Sequence, residues 1–157
     1  MQGLYEVKNP AKYIGKRAPR FRSGWELAVF RMCDNHPSVI GWGSETHRIP
    51  YKNPLTGKVT TYVPDLLMVY KDANGNNRAE MVEIKPSKQT LGEAKTQAEK
   101  AYAVVNAAKW EAARAWCSAK GLGFRVITEN EIFNEQARRD FKFTSRYRRY
   151  ATTGRRR

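Results

Sequence analysis

The sequence predicts an α/β domain, and three observations lead there. Helix-type and strand-type patterns alternate along the chain, Pro, Gly and Asn clusters separate the strand-type runs, and 157 residues are enough for one self-sufficient core. An irregular basic stretch, residues 1–22, comes first. "SGWELAVFRMCD" then predicts a helix, with Ser23 as N-cap and Glu26 three residues on, the spacing of a capping box. Short strands follow in "SVIGW", "THRIPY", "KVTTYVPDLLMVY" and "RAEMVEIK", with "KNPLTGK" and "KDANGNN" supplying turns. A long alanine-rich helix is expected over about residues 90–120, closed by Gly121. "GFRVIT" reads as a last strand and "TENEIFNEQARRDF" as a last helix, with a second capping box from Thr128 to Glu131. No internal repeat or linker divides the chain.

Composition narrows the function classes. No run approaches the eighteen or so apolar residues of a membrane span, and "MQGLYEVKNPAKY" lacks the apolar centre of a signal peptide, so the chain is expected to stay in the cell that makes it. Cys33 and Cys117 lie far apart, without C-x-x-C spacing, which points to two reduced core thiols rather than a disulfide or zinc site. The net charge of +14 is concentrated at the ends. Residues 1–22 carry six Lys/Arg against Glu6, and residues 138–157 carry nine against Asp140, whereas the body is nearly neutral. Such ends suit nucleic acid. Lys16, Arg17, Arg20 and Arg22, with Arg146, Arg148, Arg149, Arg155, Arg156 and Arg157, are the expected phosphate contacts, and Phe141, Phe143, Tyr147 and Tyr150 are interleaved as stacking or packing groups. The four tryptophans, Trp25, Trp42, Trp110 and Trp116, fall on apolar faces and read as core. ATP hydrolysis has no G-x-x-x-x-G-K-[ST] to rest on, and serine hydrolysis no G-x-S-x-G.

The chemistry-bearing stretch is "VPDLLMVYKDANGNNRAEMVEIKP", residues 63–86. If Ala73, Asn74 and Gly75 form the hairpin loop, with Gly75 left-handed, cross-strand partners sum to 148 and Asp65 lies opposite Glu83. A two-residue Asn-Gly loop would instead put Asp65 on the other face. In the first register Lys85 shares the face of Asp65 and Glu83, while Val82 and Ile84 point into the core. Two neighbouring carboxylates repel unless a cation lies between them, and Mg²⁺ takes oxygen ligands, waters and phosphate oxygens. That arrangement suits phosphodiester cleavage. A solvated cross-strand charge cluster uses the same three residues, so the spacing alone does not decide.

The wider pattern does more. "VPD" followed across a hairpin by "VEIKP" resembles the PD-(D/E)-x-K signature of the restriction-endonuclease-like nuclease superfamily. "SGWELAVFRMCD", the "PY...G...YVPD" hairpin and "QAEKAYAVVNAAKWEAARAWC" followed by "GFRVITE" are similar, in that order, to its branch of phage head completion nucleases and TnsA-type endonucleases. The resemblance implies a restriction-endonuclease-like core, a central mixed sheet flanked by helices, over residues 23–140, with basic arms at 1–22 and 141–157. It implies a metal held by Asp65, Glu83 and the backbone carbonyl of Ile84, with Lys85 as catalytic lysine. Glu26 matches a helix glutamate that adds a further ligand in many members, and Gln97 matches an auxiliary polar position. The implied cofactor is Mg²⁺, with Mn²⁺ as substitute. The implied partners are double-stranded DNA, phage portal, head or neck proteins and a second copy in a homodimer, in the host cytoplasm during assembly or with the virion. A DNA-binding head or neck component that keeps the fold without cleavage is the alternative.

Overall fold

The computed structural model describes residues 2–90 and 92–129. The expected last helix, beyond its first two residues, and the arginine-rich tail lie outside that range. In chain order the elements are β1 (Gly3–Leu4), β2 (Arg20–Phe21), α1 (Gly24–Asn35), β3 (Val39–Ser44), β4 (Ile49–Lys52), β5 (Val59–Tyr62), β6 (Leu66–Lys71), β7 (Asn77–Ile84), α2 (Gln97–Ala119) and β8 (Gly123–Ile127). The central sheet has the order β3-β6-β7-β8. Its first three strands are antiparallel, and β8 joins parallel to β7. A parallel neighbour requires a crossover, which α2 provides. Two small ladders, β1 with β2 and β4 with β5, lie outside the central sheet.

Side-chain alternation divides the core into two layers. Leu66, Met68, Tyr70, Val82 and Ile84 pack with Phe30 and Cys33 of α1, while Leu67 and Met81 pack with Trp110, Ala113 and Cys117 of α2. Both cysteines are free and buried, one in each layer. Trp42 and Trp110 are buried, and Trp25 and Trp116 are partly buried against the same layers. The β6–β7 register sums to 148 throughout, from Leu66 opposite Val82 to Lys71 opposite Asn77. Gly75 adopts a φ of +78°, a conformation that a side chain disfavours, and so fixes this loop.

Three expectations shift. "KVTTYVPDLLMVY" forms two strands, because the chain breaks at Val63-Pro64-Asp65, where Pro64 has no N–H for a ladder. The long helix starts at Gln97 rather than near residue 90. Thr96 and Glu99 form a complete capping box there, and Ser87–Gln89 is a separate short 3-10 turn. At α1 the box is half made: Ser23 accepts the Glu26 N–H at 3.2 Å, but the Glu26 carboxylate accepts the N–H of Arg22, at 3.3 Å, instead of that of Ser23.

The basic stretch before α1 is packed down. Buried Asp34, near the C-terminal end of α1, accepts the Tyr5 hydroxyl at 2.7 Å and the N–H groups of Lys8 and Asn9 at 2.7 and 3.1 Å. Burial alone would raise the Asp34 pKa, but these hydrogen bonds outweigh it and hold the group below its ordinary value. Farther on, the Ile14 N–H bonds to the Trp42 carbonyl at 2.8 Å, and the chain crosses Gly43 so closely that a Cβ there would stand 3.0 Å from the Gly15 nitrogen. These contacts carry the cations of residues 16–22 to the end of β3.

Candidate active site

Asp65 sits in the bend just before β6, and Glu83 lies one residue before the end of β7. The 148 register therefore sets them opposite each other as the strands part. Asp65 is fixed at both ends: its Oδ2 accepts the Ile84 N–H at 2.6 Å, and its carbonyl accepts the Glu45 N–H at 3.0 Å. Glu83 is only 4% exposed. Burial and then the charge of Glu83 push the Asp65 pKa well above its ordinary value. Burial also raises Glu83, although Lys85, Asp65, Lys109 and the Trp110 indole favour its charged form.

Lys85 follows one residue beyond β7, half-buried, its N–H bonded to the Ile127 carbonyl of β8 at 2.9 Å. Glu26, one turn into α1, feels the same site. Its pKa is raised to about 7, first by burial and then by the charge of Asp65, with Arg22 opposing. Gln97 is exposed in the first turn of α2, with no contact to Asp65 or Glu83 among the described residues. Lys16, Arg17, Arg20 and Arg22 come together along one cleft with Arg48, whereas Arg146, Arg148, Arg149, Arg155, Arg156 and Arg157 lie outside the described residues.

Several neighbours were not foreseen. Lys109 of α2 lies 5.6 Å from the ring centres of both Tyr51 and Tyr62, on the β4–β5 hairpin. Burial, then Lys85, lowers its pKa, and Glu83 acts the other way, so this lysine belongs to the same electrostatic cluster. The Tyr62 hydroxyl, raised by burial and by Glu83, is buried without a hydrogen-bond partner among the described residues. The signal for Lys109 was weak. It flanks the buried α2 positions Ala103, Asn106, Trp110, Ala113 and Cys117, but nothing in its own neighbourhood marks it as chemical.

Among the described residues, no three His, Cys, Asp or Glu side chains gather closely enough to enclose a metal ion. Two hard carboxylates beside an orphaned buried hydroxyl nevertheless suit Mg²⁺, which takes one or two carboxylates and retains several waters that can bond such a hydroxyl. The donor set fits.

Comparison with known proteins identifies the family. The family model "TnsA-like endonuclease N terminal" matches residues 36–129, from the end of α1 to just past β8. The chain is also 36% identical over 142 residues to the head completion nuclease of Enterobacteria phage T4, covering 83% of this chain and 92% of that protein. The protein belongs to the TnsA-like endonuclease family and is a nuclease related to the phage head completion nuclease.

Proposed function

We propose that the protein is a Mg²⁺-dependent DNA endonuclease that hydrolyses phosphodiester bonds during phage head completion. The observation that carries this is the pair of half-buried Asp65 and buried Glu83, both with raised pKa values at the end of one hairpin, with Lys85 two residues on. A protein with no use for such a pair would relieve it by substitution, because two buried carboxyls with no cation between them destabilise the fold. Asp65, Glu83 and the Ile84 carbonyl would hold the metal, with Glu26 as a further oxygen donor from α1. When bound, Mg²⁺ supplies Lewis-acid polarisation of the scissile phosphate and lowers the pKa of a coordinated water.

The remaining work falls to the chain itself. The Lys85 ammonium neutralises charge that grows on the phosphate oxygens as the bond breaks. Asp65 is oriented by the Ile84 N–H, so its carboxylate is aimed before substrate arrives. The cations of residues 16–22 attract the DNA backbone. The name of the T4 relative, a head completion nuclease, supports phage portal, head or neck proteins as partners and action in the host cytoplasm during assembly.

The test is incubation of the full chain with supercoiled plasmid in Mg²⁺, Mn²⁺ or EDTA. Nicking or linearisation is expected with either metal and none in EDTA. Asp65→Asn and Glu83→Gln should each lower the rate about 10²–10³-fold without lowering the melting temperature. Full activity in either variant would refute the assignment.

A further inference from the structure

The cleft beside the site carries information about the form of the DNA. Its volume is about 850 Å³, and its cationic lining is Lys16, Arg17, Arg20, Arg22 and Arg48, against the single acid Glu45. Ile14, Val63 and Leu67 add apolar surface to the same lining. The cleft runs up to the catalytic hairpin, since Val63 is two residues from Asp65 and Glu45 bonds the Asp65 carbonyl at 3.0 Å.

We propose that this cleft takes a short single-stranded stretch of DNA next to the scissile phosphate, so that the preferred substrate is a duplex with a splayed or unpaired arm. Volume, lining and an internal mimic support this. A concavity within the ~300–1,000 Å³ of sites that enclose small ligands accepts a few nucleotides of one strand, whereas a duplex would rest across its rim. Phosphates of an intact duplex need cations but no apolar wall. Unpaired bases expose apolar faces that such aliphatic side chains can cover, beside a cationic track for the strand's phosphates. The mimic is Glu45. It holds a φ of +50°, unusual for a side-chain-bearing residue, and its carboxylate bonds the Arg22 guanidinium at 2.8 Å. An anion already occupies the place on Arg22 that a phosphate would take.

The inference rests on the proposed function only for where the strand leads, so binding is measured in EDTA, where no cleavage occurs. Labelled blunt duplex and the same duplex with one unpaired arm are titrated by anisotropy with the full chain at one fixed salt concentration. The parent should bind the splayed duplex about tenfold more tightly, from the added phosphate and apolar contacts inside the cleft. Arg48→Gln, at an exposed position on the cleft, should erase most of that difference. Lys100→Gln, which removes the same charge from the exposed surface of α2, should leave it intact. Glu45→Gln should tighten the splayed duplex further. Equal affinity of the parent for both duplexes, binding to neither, or a preference that survives Arg48→Gln would each overturn the inference. An inactive enzyme that keeps the Arg48-dependent preference would refute the metal-site assignment and leave the cleft standing.

Discussion

Asp65 and Glu83 hold protons that the unfolded chain would release, because their folded pKa values stand above the ordinary 3.8 and 4.5. Stability from these groups is fully present below the unfolded pKa values and is lost as pH rises. Glu26 acts in the same direction, over the window from 4.5 to about 7. In EDTA the melting temperature should therefore fall between about pH 5 and 8, and Asp65→Asn should flatten the slope and raise the melting temperature at the upper end. Saturating Mg²⁺ should restore several degrees, since a ligand bound only by the folded state adds RT ln(1 + [L]/Kd). A flat profile in EDTA would contradict the pairing. Lys109 acts on the same cluster. Lys109→Met removes a cation that favours ionised Glu83, so the acid limb of the pH–rate profile should move up while melting changes little. The motif residues were legible because period-two alternation and one turn glycine determine which side chains meet. Lys109 was not, because its partners are 24 and 26 residues away in sequence and only the docking of α2 brings them together.

At the level of elements, the join between β7 and β8 depends on a buried ion pair. Arg125 meets Glu80 at 2.6 Å, and the Tyr70 hydroxyl donates to Glu80 at 3.0 Å. Both charged side chains are almost wholly buried, at 2% and 6% exposure. Arg125→Met would strand a carboxylate in the core and should cost about 3–5 kcal/mol in urea unfolding, with much of the loss recovered in the Arg125→Met/Glu80→Leu double variant. An unchanged midpoint in the single variant would remove the pair from the account. "GFRVIT" and "RAEMVEIK" each announced a strand, but neither announced that Arg125 and Glu80 would be buried against each other. That pairing depends on a parallel register which α2 sets from outside both segments. Element starts were legible only where local chemistry had no rival. Ser23 caps α1 as its sequence suggests, whereas α2 begins only at Gln97, behind the capping box that Thr96 and Glu99 complete.

Among the described residues, carboxylates gather at the hairpin end and cations along the neighbouring cleft, so the local field directs a polyanion toward Asp65 and Glu83. The N-terminal cations could be read from composition but their placement could not, because it depends on Asp34 and Gly43 gripping the chain from distant elements. The mixed order of the sheet also has a consequence for time. The β6–β7 hairpin is local and forms on the scale of ~1–10 μs, whereas β8 reaches β7 only after the intervening chain has folded as α2 and closed a long loop. Asp65 and Glu83 thus meet early, in water, and lose their hydration only when α2 descends on them. The last step of folding must dehydrate two acids, so the nascent enzyme is slowed by its own active site. Refolding followed by tryptophan fluorescence should be faster at mildly acid pH, or at neutral pH with Mg²⁺, than in neutral EDTA, and Glu83→Gln should abolish the difference. If the pair binds Mg²⁺ as proposed, closing the fold and taking up the ion would be coupled.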